Sequence, residues 1–220
     1  MAASRPMLHS FWRSSCSWRV RTALALKGID YDYRAVNPIR KENESEAYRR
    51  VNKSMKVPSL EIDGLVLNQS SAILEYLEET RPNPPLLPSA PGDRAVVRAL
   101  CDMIGADIQP LQNVVVLRKV IGGLPKDEKD AAKEEWVDFW VSRGFQGLEA
   151  RLAETAGTYC FGDTITMADL YLAPQVLNAQ GYHVDLAPFP TIQRINETLS
   201  NEAAFIHAHP KNMPDAPVQP

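Results

Sequence analysis

The chain has 220 residues, 45% of them hydrophobic and 23% charged, with a formal net charge of −3. That length and apolar share support a real buried core, in one large domain or two modest ones. The small net charge, without runs of like charge, gives no general field for nucleic acid, and no stretch is long and apolar enough to span a bilayer.

The opening Met1-Ala2-Ala3-Ser4-Arg5-Pro6 contains no apolar leader core. Cys16, Cys101 and Cys160 are an odd and sparse set for a disulfide framework. The expectation is a protein of a reducing compartment, the cytoplasm.

Met7 to Phe11 reads as a first strand. Ser17 to Lys27 places Val20, Ala23, Leu24 and Leu26 at helical spacing, with Gly28 as a stop. Tyr31 to Val36 suits a second strand, followed by a polar stretch and a short helix ending near Val51. Val57 to Ile62 and Leu65 to Leu67 flank Asp63-Gly64, a strong hairpin signal. Ser70 to Thr80 reads as an amphipathic helix with Ala72, Ile73, Tyr76 and Leu77 inward. This order, β-α-β-α-β-β-α, is that of a thioredoxin-like α/β domain.

The composition breaks at Arg81 to Asp93, where the density of proline argues for an extended linker. Beyond it Asp93 to Val120, Lys126 to Thr155, Thr166 to Ala179 and Thr191 to Ala204 all carry helical periodicity. Thr166 and Asp169 have the spacing of a helix-start box. The expected organisation is a thioredoxin-like domain over 1–83, a linker over 84–93 and an all-α helical bundle over 94–220. The tail after His209, with Pro210, Pro214, Pro217 and Pro220, is expected to be loose.

The chemistry concentrates at Ser14-Ser15-Cys16-Ser17-Trp18-Arg19, between the first strand and the first helix. A loop feeding a helix N-terminus gathers unpaired amides and the positive end of the helix dipole, which favours an anion such as a thiolate. A hydroxyl from Ser14 or Ser15 strengthens that effect by donating to a bound sulfur. The plainer reading is that Ser15 or Ser17 only caps the helix. Cys16 could itself be a nucleophile beside Arg19, forming a mixed disulfide, but Arg19 stands where a dithiol motif needs cysteine. Cys101 and Cys160 read as buried small apolar residues.

Val57-Pro58 precedes a strand. A cis bond there would turn backbone groups toward an extended peptide, although base rates for X-Pro favour trans. Gln69-Ser70-Ser71 leads into another helix N-terminus, suited to a carboxylate, and Ser70 could equally be an N-cap. The four histidines show no metal spacing. The Glu78-Glu79 and Glu134-Glu135 pairs read as solvated helix faces, and no metal site is expected.

Taken together the chain resembles the glutathione transferases, and within them the zeta class. The residues that carry the resemblance begin with Ser14 to Arg21 followed by Ala-Leu-Ala-Leu-Lys-Gly28, then Val57-Pro58, Gln69-Ser70 and Glu75 to Glu79. Ile108 to Asn113, Gly162-Asp163, Thr166 to Leu170, Pro174 to Val176 and Val184 to Leu186 extend it, so it covers about Met7 to Pro210. It implies the glutathione transferase fold, glutathione as cofactor, and a homodimer. It also implies that Pro58 is cis.

Ser14, Ser15 and Cys16 would be the catalytic group, with Ser15 on the glutathione sulfur and Ser17, Trp18 and Arg19 completing the helix-end site. Val57 would pair with the tripeptide backbone, Gln69 and Ser70 would hold its γ-glutamyl end, and Asn43, Gln109, Asn113, Val114 and Val115 would complete the contacts. Arg13 and Arg19 would attract the carboxylates of a small unsaturated diacid. The implied reaction is cis–trans isomerisation of maleylacetoacetate in tyrosine and phenylalanine breakdown, by reversible addition of glutathione, with transfer to small α-haloacids as a second activity. Two departures stand out. Asn52 is followed by Lys53 rather than proline, and Gly181 occupies a position where the class carries an arginine. A general detoxifying transferase and a non-catalytic scaffold are the alternatives.

Overall fold

Met7–Ser10 forms strand β1 in a computed structural model that describes residues 5–217. Residues 1–4 and Pro220, both read above, lie outside the described residues. Helix α1 (Ser15–Leu26), strand β2 (Asp32–Ala35), helix α2 (Glu46–Val51), strands β3 (Ser59–Ile62) and β4 (Leu65–Asn68) and helix α3 (Ser70–Thr80) follow. The sheet order is β2-β1-β3-β4, with β1 and β2 parallel and the other pairs antiparallel. Along the chain the elements follow the expected β-α-β-α-β-β-α order.

Local chemistry accounts for the punctuation. Asp63 and Gly64 both take positive φ, as a two-residue hairpin with right-handed strand twist requires. Gly28, at φ +64, ends α1 while the Ile29 amide returns to the Leu24 carbonyl. Val57-Pro58 is cis, as the family resemblance implies, and so is Asn83-Pro84.

The inward face of α3 is rotated from the expected one. Ile73, Leu74, Leu77 and Glu78 are buried, whereas Ala72 is exposed and Tyr76 half-exposed. Tyr76 turns outward because its hydroxyl donates to Asp63 Oδ2 at 2.6 Å, while Arg81 Nη2 grips the same carboxylate at 2.7 Å. Glu78 is therefore not a solvated residue. Its carboxylate accepts from Lys27 Nζ at 2.9 Å and from the Leu86 amide at 2.9 Å, and the Lys27 side chain is itself fully buried. Lys27 Nζ also donates to the Arg81 and Pro84 carbonyls, so one ammonium ties α1 to the end of α3 and the chain that follows it.

By its packing the chain divides into two units, Met1–Leu86 with Asn201–Pro220, and Leu87–Ser200. The second holds α4 (Pro91–Gly105), α5 (Val114–Val120), α6 (Lys129–Thr155), α7 (Met167–Gly181) and α8 (Pro190–Ser200). Its described residues include no strand, only an isolated bridge between Ala156 and Gly162. The helix expected over Asp93 to Val120 is broken after Gly105, because Pro110 lacks an amide for the ladder and Asn113 caps a new helix by accepting the Val115 N–H at 3.0 Å. Ile108, in that break, lies so close to Gly144 of α6 that a Cβ there would sit 2.2 Å from its side chain. The Thr166–Asp169 capping box is present, and Glu149 of α6 caps α8 by accepting the Thr191 and Ile192 amides at 2.7 and 3.0 Å.

The helix expected over Thr191 to Ala204 also breaks. After Ser200 a separate α9 (Ala203–Ala208) packs on α1 as part of the first unit. The tail after His209 is not loose over the described residues. Pro210 and Met213 are buried and Asp215 is hydrogen-bonded to the first unit, which anchors the segment despite its prolines.

Breaking a buried ion pair on one side leaves an uncompensated charge. Lys27→Met should therefore lower the unfolding free energy in urea by about 3 kcal/mol. Adding Glu78→Gln, which keeps an acceptor for the Leu86 amide, should recover part of that loss. An unchanged urea midpoint for Lys27→Met would show that the pair is dispensable.

Candidate functional site

The site is built where β1 gives way to α1. Ser14 is the N-cap, with extended backbone, and its Oγ accepts the Ser17 N–H at 3.1 Å. The cap is therefore Ser14, not Ser15 or Ser17. This leaves Ser15, at the first helical position, half-exposed with its hydroxyl uncommitted to capping. Cys16 beside it is half-exposed, whereas Cys101 and Cys160 are buried, with burial pushing the Cys160 thiol up.

Arg19 comes one turn later and is only 3% exposed. Its Nη1 lies 3.8 Å from Cys16 Sγ and donates to Ser70 Oγ at 3.4 Å. One guanidinium thus joins the N-terminal turn of α1 to that of α3. Ser70 is the first residue of α3 rather than its cap; the cap position belongs to Gln69, which makes no side-chain capping bond. Gln69 holds φ +70 and ψ 122, a left-handed backbone that costs a non-glycine residue about 1–3 kcal/mol. Its side chain is exposed.

The loop before Val57 is pinned from three sides. Asn43 Nδ2 donates to the Met55 carbonyl at 2.8 Å, and Tyr48 Oη and Asn52 Nδ2 donate to the Lys56 carbonyl at 2.8 and 2.7 Å. Burial raises the Tyr48 hydroxyl pKa, so it stays a protonated donor. Asn52 Oδ1 also accepts the Ser54 amide and hydroxyl, so the turn that lacks a proline at Lys53 is closed by a side-chain network. Asn43 Nδ2 is committed to that loop.

Ser14, Ser15, Cys16, Arg19, Asn43, Val57, Gln69 and Ser70 therefore belong to one unit, and Arg19 directly joins Cys16 to Ser70. Ser17 and Trp18 are packed inside it: Ser17 is fully buried and the Trp18 ring meets His209 edge-on at 5.0 Å. Their side chains present no open face. Arg13 is exposed. Gln109, Asn113, Val114 and Val115 lie in the second unit, Asn113 as the cap of α5 and Val115 as its most exposed valine, at 72%.

Residues 13–80 match the model of the glutathione S-transferase N-terminal domain, and residues 140–210 that of the C-terminal domain. The chain is 48% identical to maleylacetoacetate isomerase of Rattus norvegicus, covering 100% of this chain and 99% of that one. It is 49% identical to probable maleylacetoacetate isomerase 2 of Drosophila melanogaster, covering 97% of this chain and 91% of that one. A holo structure of maleyl pyruvate isomerase, a bacterial zeta-class glutathione S-transferase, superposes with TM-score 0.90 at 42% identity, over 96% of this chain and 100% of that one. The chain belongs to the zeta class of glutathione transferases. Among its solved relatives, maleylacetoacetate isomerase of Anaeromyxobacter dehalogenans with glutathione in its active site is 44% identical, with TM-score 0.86 over 96% of this chain and 98% of that one.

Sequence reading did not single out the residue that holds this transferase's site loop. Arg21 is fully buried, and it donates to the Phe11, Trp12 and Ala208 carbonyls and to Ser10 Oγ. Burial lowers its pKa to about 10, partly offset by Tyr33, Tyr31 and Asp215. The only signal was a charge on an otherwise apolar face of α1. Tyr48, Asn52 and Asp215 were missed as well, since their partners lie far off in sequence or in an irregular loop.

Gln69→Gly should relieve the backbone cost and raise stability by about 1 kcal/mol, read as a higher melting temperature. The same change should weaken glutathione binding by calorimetry. A melting temperature that does not rise would show that this conformation carries no penalty.

Proposed function

We propose that this zeta-class transferase is a glutathione-dependent isomerase that converts maleylacetoacetate to its fumaryl isomer. The observation that carries the reading is the pair of helix N-termini, each preceded or opened by hydroxyl or amide side chains, with the buried Arg19 guanidinium joining them.

The donor set fits glutathione. Ser15, uncommitted to capping, would donate to the sulfur, while the first turn of α1 and the nearby Arg19 charge would favour its anionic form. Gln69 and Ser70, at the start of α3, would hold the γ-glutamyl carboxylate. Asn43, Tyr48 and Asn52 would keep the Val57 main chain in place to pair with the peptide. Gln109, Asn113, Val114 and Val115 join the proposal on the family resemblance. Bound glutathione supplies a thiolate whose reversible addition to the cis double bond permits rotation and is then undone. Burial of Arg19 suits it to the thiolate, which leaves the exposed Arg13 as the candidate for a substrate carboxylate.

The protein is proposed to act as a homodimer in the cytoplasm. Half-exposed Leu65 and Val66 on edge strand β4 support the first statement, and the odd, sparse set of three cysteines supports the second. Among the described residues no helix is long and apolar enough to cross a membrane. Transfer to small α-haloacids would use the same thiolate.

One observation favours a second reading, a transferase that makes stable conjugates: Gly181 ends α7 without an arginine's charge. Maleylacetoacetate with substoichiometric glutathione separates the two. Many turnovers per glutathione establish isomerisation, and mole-for-mole consumption establishes conjugation. Ser15→Ala should raise the pKa of the bound thiol by about one unit, leaving roughly tenfold less thiolate at neutral pH. An unchanged pH–rate profile would remove Ser15 from the mechanism. A Cβ at Gly181 meets nothing within 4 Å. Gly181→Arg should therefore fold like the parent and lower KM for the diacid with little change in kcat; an unchanged KM would show that this position does not read the substrate.

A further inference from the structure

The segment after α9 returns, within the first unit, to the loop that enters α1. Asp215 lies near its end. Its Oδ2 accepts the Trp12 N–H at 3.1 Å and its Oδ1 accepts the Tyr33 hydroxyl at 2.6 Å. The carbonyl of the same Trp12 accepts Arg21 Nη2 at 3.2 Å, and the preceding Phe11 carbonyl accepts Arg21 Nη1 at 3.3 Å. Trp12 is therefore gripped on its N–H side by Asp215 and on its C=O side by Arg21.

The next residues are Arg13 and Ser14. The Ser14 amide donates back to the Phe11 carbonyl at 3.0 Å, and the Ser14 hydroxyl caps α1. With planar peptides there is little slack between Trp12 and Ser15, so a change in the backbone at Trp12 reaches both serines. The closing segment has its own anchors: Asn212 Nδ2 donates to the Ile206 carbonyl at 2.6 Å, and the Ala216 amide to the Met213 carbonyl at 3.0 Å.

We propose that residues 210–216 are a strap and that Asp215 is a positioning residue, holding Trp12 so that Ser14 and Ser15 face the glutathione sulfur. The inference rests on the glutathione site proposed above. The charged and titratable groups around the strap are Arg21, Tyr31, Tyr33, His209 and Lys211.

The test uses the full chain and titrates bound glutathione by its thiolate absorbance, with affinity from calorimetry. Asp215→Ala should raise the bound thiol pKa by about half a unit to one unit, a roughly three- to tenfold loss of thiolate at neutral pH, and weaken binding in step. Asp215→Asn keeps an acceptor oxygen and should fall between Asp215→Ala and the parent. Asn212→Ala, which removes one anchor of the strap away from the loop, should move the titration in the same direction as Asp215→Ala but by less. A folded Asp215→Ala with parental thiol pKa and affinity overturns the proposal. If that variant does not fold, a parental titration for Asp215→Asn together with Tyr33→Phe overturns it equally. A parent that binds glutathione but does not isomerise maleylacetoacetate refutes the substrate reading, and the titration still decides the role of Asp215.

Discussion

A guanidinium buried without solvent must find acceptors for its donors, and for Arg21 those acceptors are supplied by the end of β1, the loop after it and the last turn of α9. The need is strict because Arg21 has no exposed surface and remains a cation even with its pKa lowered to about 10. Three carbonyls and one hydroxyl therefore have to point at a single side chain. Satisfying it fixes the path of Phe11 and Trp12, and with it the direction from which the chain enters α1. The chemistry proposed for Ser14 and Ser15 depends on that direction.

Arg19, two residues earlier, does different work. It is buried between the first turns of α1 and α3, with donors near Cys16 Sγ and Ser70 Oγ. Both turns carry the partial positive charge of a helix N-terminus, so a third positive group between them makes this part of the first unit attractive to anions. The left-handed backbone at Gln69, directly before α3, is a local cost at the same place. Loop residues 52–58 show the opposite economy: Asn43, Tyr48 and Asn52 satisfy its carbonyls, so an irregular segment is held still without regular structure.

Motifs with short-range causes were legible in the sequence. The hairpin at Asp63-Gly64, the stop at Gly28 and the Thr166–Asp169 box each depend on backbone preferences and side chains a few residues apart, and each is present. The zeta-class resemblance likewise groups Ser14 to Arg19, Val57, Gln69 and Ser70, which all lie in the first unit. Contacts between distant residues were not legible. Glu78 looked solvated because its partner Lys27 lies on another helix, and Tyr76 looked inward because nothing local indicated its bond to Asp63.

The tail is the sharpest case. Its prolines exclude regular structure, and on composition alone they suggest a loose end. Yet Asp215 meets Tyr33 and the Trp12 amide across the length of the chain. By itself, the sequence determined the order of elements in the thioredoxin-like domain, the class, and which helix start carries the hydroxyls, because helix periods, turn residues and caps act over a few residues. Only the tertiary structure decided that Ser14 rather than Ser15 caps α1, that Arg19 joins two helix ends, and that Arg21 and Asp215 hold the loop between them. Those outcomes turn on burial and on hydrogen-bond partners that sequence spacing does not encode.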